Sequence, residues 1–366
     1  MNLLTAQLPG RAPSSGKGLA LGIWRCMLVA FALVLSLGFT QVAVAQADPD
    51  REMSSAAPGI TAEQWRQVRS GETGPNFRDS RHESTYNLIN ASGETWRILR
   101  NRWVSPFGLI AIVGMAAVIT LFYVIVGRKQ LDEPRTGRKL FRWSLFMRSL
   151  HWTVATLFIT LALTGLNLLY GKFVFRSLFG DAFWGWMISA SKVLHNYLGP
   201  IFGILLIVLL ISLLKDNIPK KQDWVWFKKA GGLTGKHHPD AGFANGGEKA
   251  WYWLLATVGL VVVASGFVLD FPNFNQSRDT MQWANIIHAV GALGLTAVAL
   301  GHIYIGTVGT EGSLEAMTTG YVDETWAKEH HNLWYEEVKD QAITEEELAA
   351  RKSGDSSGDI STSRPS

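Results

Sequence analysis

Apolar residues in this chain fall into long uncharged blocks, not into the three-and-four spacing of an amphipathic helix or the alternation of a half-buried strand. Blocks at 106–127, 152–170, 193–214, 250–269 and 284–309 contain no Asp, Glu, Lys or Arg. Each is long enough to cross roughly 30 Å of hydrocarbon as a helix. The pattern predicts an all-α integral membrane protein with five spans. An earlier apolar run at 26–39 follows Arg11, Lys17 and Arg25 and precedes small residues at 43–47, the layout of a cleavable export signal over 1–47. An uncleaved anchor helix is the alternative reading. Residues 48–104 are polar and predict a loose exported arm with a short helix at 61–68, which Thr61 caps and Gln64 completes as a capping box. His82 falls in that arm as a solvated loop residue.

Hydrophobic content of 48% agrees with membrane insertion. The net charge of +4 does not mark a nucleic-acid binder, because the basic residues gather beside the spans. Arg128, Lys129, Arg135, Arg138, Lys139, Arg142 and Arg148 occupy the first inter-span loop, 128–148. Lys215, Lys220, Lys221, Lys228, Lys229, Lys236 and Lys249 follow the third span. The alternate loops are poorer, with Lys172, Arg176 and Lys192 in one and Arg278 in the other. This bias places the first pair of loops in the cytoplasm, the mature N-terminus in the periplasm and the C-terminus in the cytoplasm. Arg97, Arg100 and Arg102, just before the first span, run against the rule. The segment 310–366 then forms a cytoplasmic C-terminal region, disordered from Glu345 onward. Cys26, the single cysteine, excludes a disulfide framework and any Cys-ligated cluster or zinc site within the chain.

Four histidines lie in or at the edge of these blocks, where a polar side chain is costly unless it has a partner. His288 and His302 share the last block, 14 positions apart, which on a helix means about 21 Å of rise and a net rotation of about 40°. His151 opens the second block and His195 the third. In an up-and-down bundle, depth alone pairs His195 with His288 near the periplasm and His151 with His302 near the cytoplasm. Two imidazole pairs at two depths are what two bis-histidine b-type haems require. Interhelical hydrogen bonding would account for any one of these histidines taken singly. Gly165, Gly199, Gly203, Gly291, Gly294 and Gly301, on the same helices, allow close approach of a flat macrocycle or of a neighbouring helix. Trp152, Trp184, Trp186, Trp251, Trp253 and Trp283 fall near span ends as interfacial anchors.

The stretches Arg148-Ser149-Leu150-His151-Trp152, Val193-Leu194-His195-Asn196-Tyr197-Leu198-Gly199, Ile286-Ile287-His288-Ala289 and Gly301-His302-Ile303-Tyr304 occur in the order typical of one family. So do Asn217-Ile218-Pro219 and Trp326-Ala327-Lys328-Glu329-His330-His331 with Trp334 and Tyr335. From about Ser144 to Lys339 the chain resembles the formate dehydrogenase gamma subunit, cytochrome b556. The resemblance implies a four-helix transmembrane dihaem cytochrome b core over 149–309, with the span at 105–127 as an extra N-terminal transmembrane helix. It implies a bacterial inner-membrane subunit that moves electrons and does not itself oxidise formate. Electrons would come from an iron–sulfur beta subunit, fed by a molybdenum or tungsten alpha subunit. They would pass through the His195/His288 haem and then the His151/His302 haem to menaquinone or ubiquinone.

The family's quinone site combines the cytoplasmic-side haem histidine with a loop asparagine followed by glycine and glutamine. The matching positions here are His302, Asn245, Gly247 and Glu248, where Glu248 departs from the family's glutamine. An ordinary Asn-Gly turn is the competing reading of Asn245. His237 and His238 read as solvated loop residues, and His330 and His331 as structural or partner-facing. Rival functions are the same dihaem scaffold serving a hydrogenase or a thiosulfate- or polysulfide-type oxidoreductase, and a non-redox membrane anchor or proton-relay transporter. The last expects acidic groups within the spans, and there are none.

Overall fold

A computed structural model describes residues 66, 69, 70, 91–229, 231 and 239–354. The export signal, Cys26, most of the polar arm including its 61–68 helix apart from Arg66, His82, His237 and His238 lie outside the described residues. In chain order the elements are α1 (Gly93–Val126), β1 (Lys139–Phe141), α2 (Leu145–Leu213), α3 (Lys221–Lys228), α4 (Gly246–Asp270) and α5 (Arg278–Gly309). Then come α6 (Ser313–Thr319), β2 (Tyr321–Asp323), α7 (Glu324–His330), α8 (Asn332–Val338) and α9 (Glu345–Gly354). Among the described residues, α1, α2, α4 and α5 are long and apolar enough to cross a membrane.

The 69-residue α2 carries two of the apolar blocks. Gly180, at φ 82° and ψ 176°, breaks it in a region of backbone space open essentially to glycine. The limbs 145–179 and 181–213 fold back on each other: the rings of Phe158 and Phe202 lie 6.2 Å apart, and Asn167 Nδ2 donates to Ser191 Oγ at 2.8 Å. The inter-span loop expected at 171–192 is therefore helical except at Gly180, because the stretch holds no proline and reverses on one residue. Leu150, Val154, Phe202, Leu206 and Tyr252 form the buried centre where α4 meets both limbs.

α1 begins earlier than the apolar pattern indicates, within the segment assigned to the polar arm, and contains a π-helical stretch at Leu99–Val104. Its partner is α5. A Cβ on Gly108 would overlap the Leu293 side chain, so glycine sets how closely the two helices approach. Val104, Ile286 and Leu293 are buried together, with Trp96, Leu99 and Tyr170 packed around them. Tyr170 Oη donates to the Ser105 carbonyl at 2.7 Å, and Trp96 Nε1 to Asn285 Oδ1 at 3.2 Å.

The segments rich in Lys and Arg gather at one end of the bundle and build a folded cap that the apolar pattern does not announce. β1 and β2 pair antiparallel, with Leu140 opposite Val322. Leu140, Ala316, Val322, Trp326, Ala327 and Trp334 form its buried cluster. α3 is tied to α4 by a buried ion pair, Lys249 Nζ to Asp223 Oδ2 at 2.9 Å. Contrary to the expectation of disorder from Glu345, the chain continues as α9 to Gly354, held at its start by reciprocal Lys139 and Ile343 backbone hydrogen bonds. The opposite end of the bundle carries Gly180, the 271–277 turn and the start of α1.

Candidate haem site

The four histidines face one another in pairs. The rings of His195 and His288 lie 6.0 Å apart, and those of His151 and His302 lie 6.4 Å apart. His195 sits on the second limb of α2, His288 and His302 on α5, and His151 on the first limb of α2. The first pair lies toward the Gly180 end and the second beside the cap.

Hydrogen bonds fix the tautomer of the first pair. His288 Nδ1 lies 2.9 Å from the Val262 carbonyl, which can only accept, so Nδ1 carries the proton. His195 Nδ1 lies 2.9 Å from Thr164 Oγ1, whose own proton goes to the Thr160 carbonyl at 2.8 Å. Thr164 therefore accepts from His195. Both rings are left with an unprotonated Nε2, the arrangement of a metal-binding imidazole whose other nitrogen is oriented by its surroundings.

The chain around this pair fits a macrocycle. A cavity of about 410 Å³ is lined by His195 and His288 together with Gly165, Gly199, Gly266 and Phe202. Metal–imidazole bonds of roughly 2 Å, with about 1 Å more from each nitrogen to its ring centre, require ring centres about 6 Å apart. The observed pairs meet that spacing. A Cβ on Gly165 would come 3.2 Å from His195 Cε1, and one on Gly266 would come 3.1 Å from His288 Cε1. Gly266 escaped sequence reasoning because it lies on α4, which carries none of the four histidines. Gly203 and Gly291 serve helix contact instead, since a Cβ on either would meet the Val263 or Val262 side chain. Nothing lies within 4 Å of a Cβ placed on Gly199, Gly294 or Gly301.

The second pair is built differently. His302 is exposed, and its ring stacks on Trp251 at 5.0 Å and 14°. Trp251, expected as an interfacial anchor, thus holds a histidine. Trp152 Nε1 donates to the Met317 carbonyl and Trp253 Nε1 to the Asn217 carbonyl, both at 2.9 Å.

Asn245, Gly247 and Glu248 lie at the start of α4. Asn245 Oδ1 accepts the Glu248 backbone N–H at 3.0 Å, and Glu248 Oε2 accepts that of Asn245 at 2.9 Å, a reciprocal capping box. Asn245 is thus a helix cap whose amide nitrogen is left to donate. A Cβ on Gly247 would come 2.8 Å from the Trp226 ring, so that glycine already serves packing. Glu248 Oε1 also accepts from Arg142 Nη2 at 3.3 Å.

Sequence reasoning did not find the buried role of Arg142, whose Nη2 lies 3.3 Å from Nε2 of His331, the motif histidine expected to be structural or partner-facing. Arg142 is 4% exposed and His331 0%. The guanidinium carbon lies 4.6 Å from the Phe243 ring, 5.0 Å from Trp326 and 5.1 Å from Trp334. Arg142 Nη2 donates to the Phe243 carbonyl at 2.8 Å, and His331 Nδ1 donates to the Gly242 carbonyl at 2.8 Å. Together they hold the loop leading to Asn245. Burial, reinforced by the Arg142 charge, pushes the His331 imidazole well below its usual pKa, so it stays neutral. His331 is structural, as expected for this motif.

The helical fold, with helices long and apolar enough to cross a membrane, has a counterpart among membrane cytochromes: residues 142–320 match the family described as prokaryotic cytochrome b561. More particularly, the chain is a relative of the cytochrome b556 subunits of formate dehydrogenase. It is 28% identical over 209 residues to the nitrate-inducible formate dehydrogenase cytochrome b556(Fdn) subunit of Escherichia coli strain K12, covering 56% of this chain and 93% of that one. The cytochrome b556(fdo) subunit of the same strain is 26% identical over 198 residues, with 52% and 88% covered. The formate dehydrogenase cytochrome b556 subunit of Haemophilus influenzae is 28% identical over 228 residues, with 61% and 92% covered. α1 lies outside the matched family region.

Proposed function

We propose that this chain is the cytochrome b (gamma) subunit of a respiratory formate dehydrogenase in a bacterial inner membrane. It passes electrons from a periplasmic iron–sulfur subunit through two b haems to a quinone near the cytoplasmic face. The catalytic alpha subunit, with molybdenum or tungsten, oxidises formate elsewhere in the complex. The observation that carries this reading is the pair of facing imidazoles at each of two depths. In support, the relatives are named as formate dehydrogenase subunits. The Lys- and Arg-rich cap fits a cytoplasmic location, and the Gly180 end a periplasmic one. By this reading 1–47 is the signal, 48–104 the exported arm whose end from Gly93 already belongs to α1, 105–127 the extra span, 128–148 a cytoplasmic loop, 149–309 the dihaem core and 310–366 a cytoplasmic segment that contributes to the cap.

His195 with His288, and His151 with His302, would each hold a haem iron, which would supply a one-electron centre whose potential its ligands and surroundings set. The protein's part is orientation and exclusion of water. Val262 and Thr164 fix the ligand tautomers, while Gly165 and Gly266 let the imidazoles lie close against the helices. At the cap end, His302 is exposed beside Trp251, two turns along α4 from Asn245. The Asn245 amide N–H donates to a quinone carbonyl there, and Gly247 lets the Trp226 ring close against the start of α4 beside it. Glu248, bridging Arg142 and the cap of α4, relays protons from the cytoplasm.

The test is a reduced-minus-oxidised spectrum with haem quantitation on wild type, His195→Ala and His302→Ala. Two haems are expected per wild-type chain, with each variant losing a different one. Colourless wild-type protein would return the histidines to helix packing.

A further inference from the structure

The charged residues that line the cavity, Arg100, Lys192 and Asp270, all come from helix segments at its Gly180 end. Toward the bundle centre it is walled by Phe158, Phe202 and Leu255; at its mouth stand Arg100, Lys192, Asn285 and Asp270. Lys192 and Asn285 each precede a site histidine by three residues, about one helical turn. Both helices run inward from this end, so the two side chains stand one turn outside the imidazole layer. Arg100 comes from α1, the helix outside the matched family region. Its guanidinium carbon lies 5.8 Å from the Trp96 ring, and Nη1 donates to Asn101 Oδ1 at 3.2 Å. Trp96 is fixed in turn by its bond to Asn285, so Arg100 is held at the mouth by the same contact that ties α1 to α5. Among the described residues, no carboxylate forms an ion pair with Arg100 or Lys192.

We infer that Arg100, with Lys192, binds the propionate carboxylates of the haem held by His195 and His288, making the extra helix a working part of that site. The inference rests on the haem reading above. A haem seated between the two rings carries two carboxylates that the Phe158 and Phe202 side cannot solvate, so they turn to the mouth. There two cations await them, while Asp270 is the single acid on the lining. Arginine suits the task because its planar fork meets a carboxylate through two parallel hydrogen bonds. A cation beside the haem also favours the reduced form, since the oxidised iron centre carries one more positive charge.

Potentiometric titration of the purified holo-protein tests this, with the His195→Ala spectrum marking which haem band belongs to the site. Arg100→Gln should keep both haems and lower the midpoint of the marked haem alone, by about a tenfold change in its reduction equilibrium, or about 59 mV for one electron. Arg100→Lys should stay near wild type, and Lys192→Gln should shift the same haem in the same direction. Should Arg100→Gln shed the marked haem, retention by Arg100→Lys supports the charge role and loss from both overturns it. An unmoved midpoint in Arg100→Gln, an equal shift of both haems, or an Arg100→Lys shift as large as that of Arg100→Gln also overturns it. Wild-type protein without haem would instead sink the underlying reading.

Discussion

At the scale of single residues, the same side chain often holds the fold and faces the site, and conservative substitutions separate the two roles. Asn245 is the clearest case, because its Oδ1 caps α4 while its amide nitrogen is free to act as a donor. Asn245→Ala should cost about 1 kcal/mol through the lost cap. Asn245→Asp keeps a capping oxygen and removes the donor, so it should leave thermal stability near wild type while weakening binding of a quinone-analogue inhibitor about tenfold. Equal inhibitor affinity in Asn245→Asp and wild type would leave Asn245 as a cap alone. Gly165 and Gly266 make a second case. A methyl added at either would press on a histidine ring at 3.2 or 3.1 Å. Overpacking of this kind costs about 1–3 kcal/mol. Gly165→Ala and Gly266→Ala should therefore lower haem occupancy at the His195/His288 site in quantitative spectra, with the other site unaffected.

The histidines were legible in the sequence at this scale because a bilayer leaves an imidazole few alternatives, and depth followed from counting residues along α5. Gly266 was not legible, since its role depends on α4 being placed against His288 by the fold. The capping role of Asn245 was readable in principle as an Asn with an acid three residues on. The motif resemblance drew attention to quinone contact instead. Trp251 was assigned to the interface because apolar blocks end in tryptophan there; only packing shows it stacked on His302.

Among the elements, the spans were legible and their junctions were not. Apolar length gives the membrane crossings, but hydropathy cannot distinguish a loop from a helix that continues beyond the bilayer, as α2 does to Gly180. An alanine at Gly180 would have to adopt a backbone geometry costing about 1–3 kcal/mol. Gly180→Ala should lower the thermal midpoint of the hairpin, and an unchanged midpoint would mean that the turn tolerates a side chain. The cap was hidden for a different reason. Its short strands pair β1 with β2 across about half the length of the chain, and its centre is a charged residue, Arg142, which hydropathy assigns to the surface.

The cap also carries a pH dependence. His331 is held neutral in the folded state, with its pKa well below the ordinary value. Below about pH 6.5 the unfolded chain binds a proton there that the folded cap refuses, so stability falls as pH falls. Above that value the effect is absent. Protection factors of the amides around Gly242 and His331, with the intrinsic pH dependence of exchange divided out, should fall from pH 7 to pH 5.5, and His331→Gln should flatten that dependence. Identical profiles for both proteins would place the neutral imidazole outside the cap's acid response.

Across the whole molecule, the two imidazole pairs are joined by continuous helices and closed at one end by the cap. α5 carries one histidine of each pair, so its rigidity sets the distance between the two layers, about 21 Å along the helix. α1 lies outside the region shared with the family, yet it packs along α5 and brings Arg100 to the mouth of the cavity. The long apolar helices could be read from hydropathy, whereas the part α1 plays could not, because that depends on which neighbour it chooses.

Haem quantitation on the purified wild-type chain, followed by reduced-minus-oxidised spectra of His195→Ala and His302→Ala, tests the central claim most directly. Two b-type haems per chain, with a different one missing from each variant, is the predicted result. A wild type carrying no haem, or both variants losing the same single haem, would contradict it.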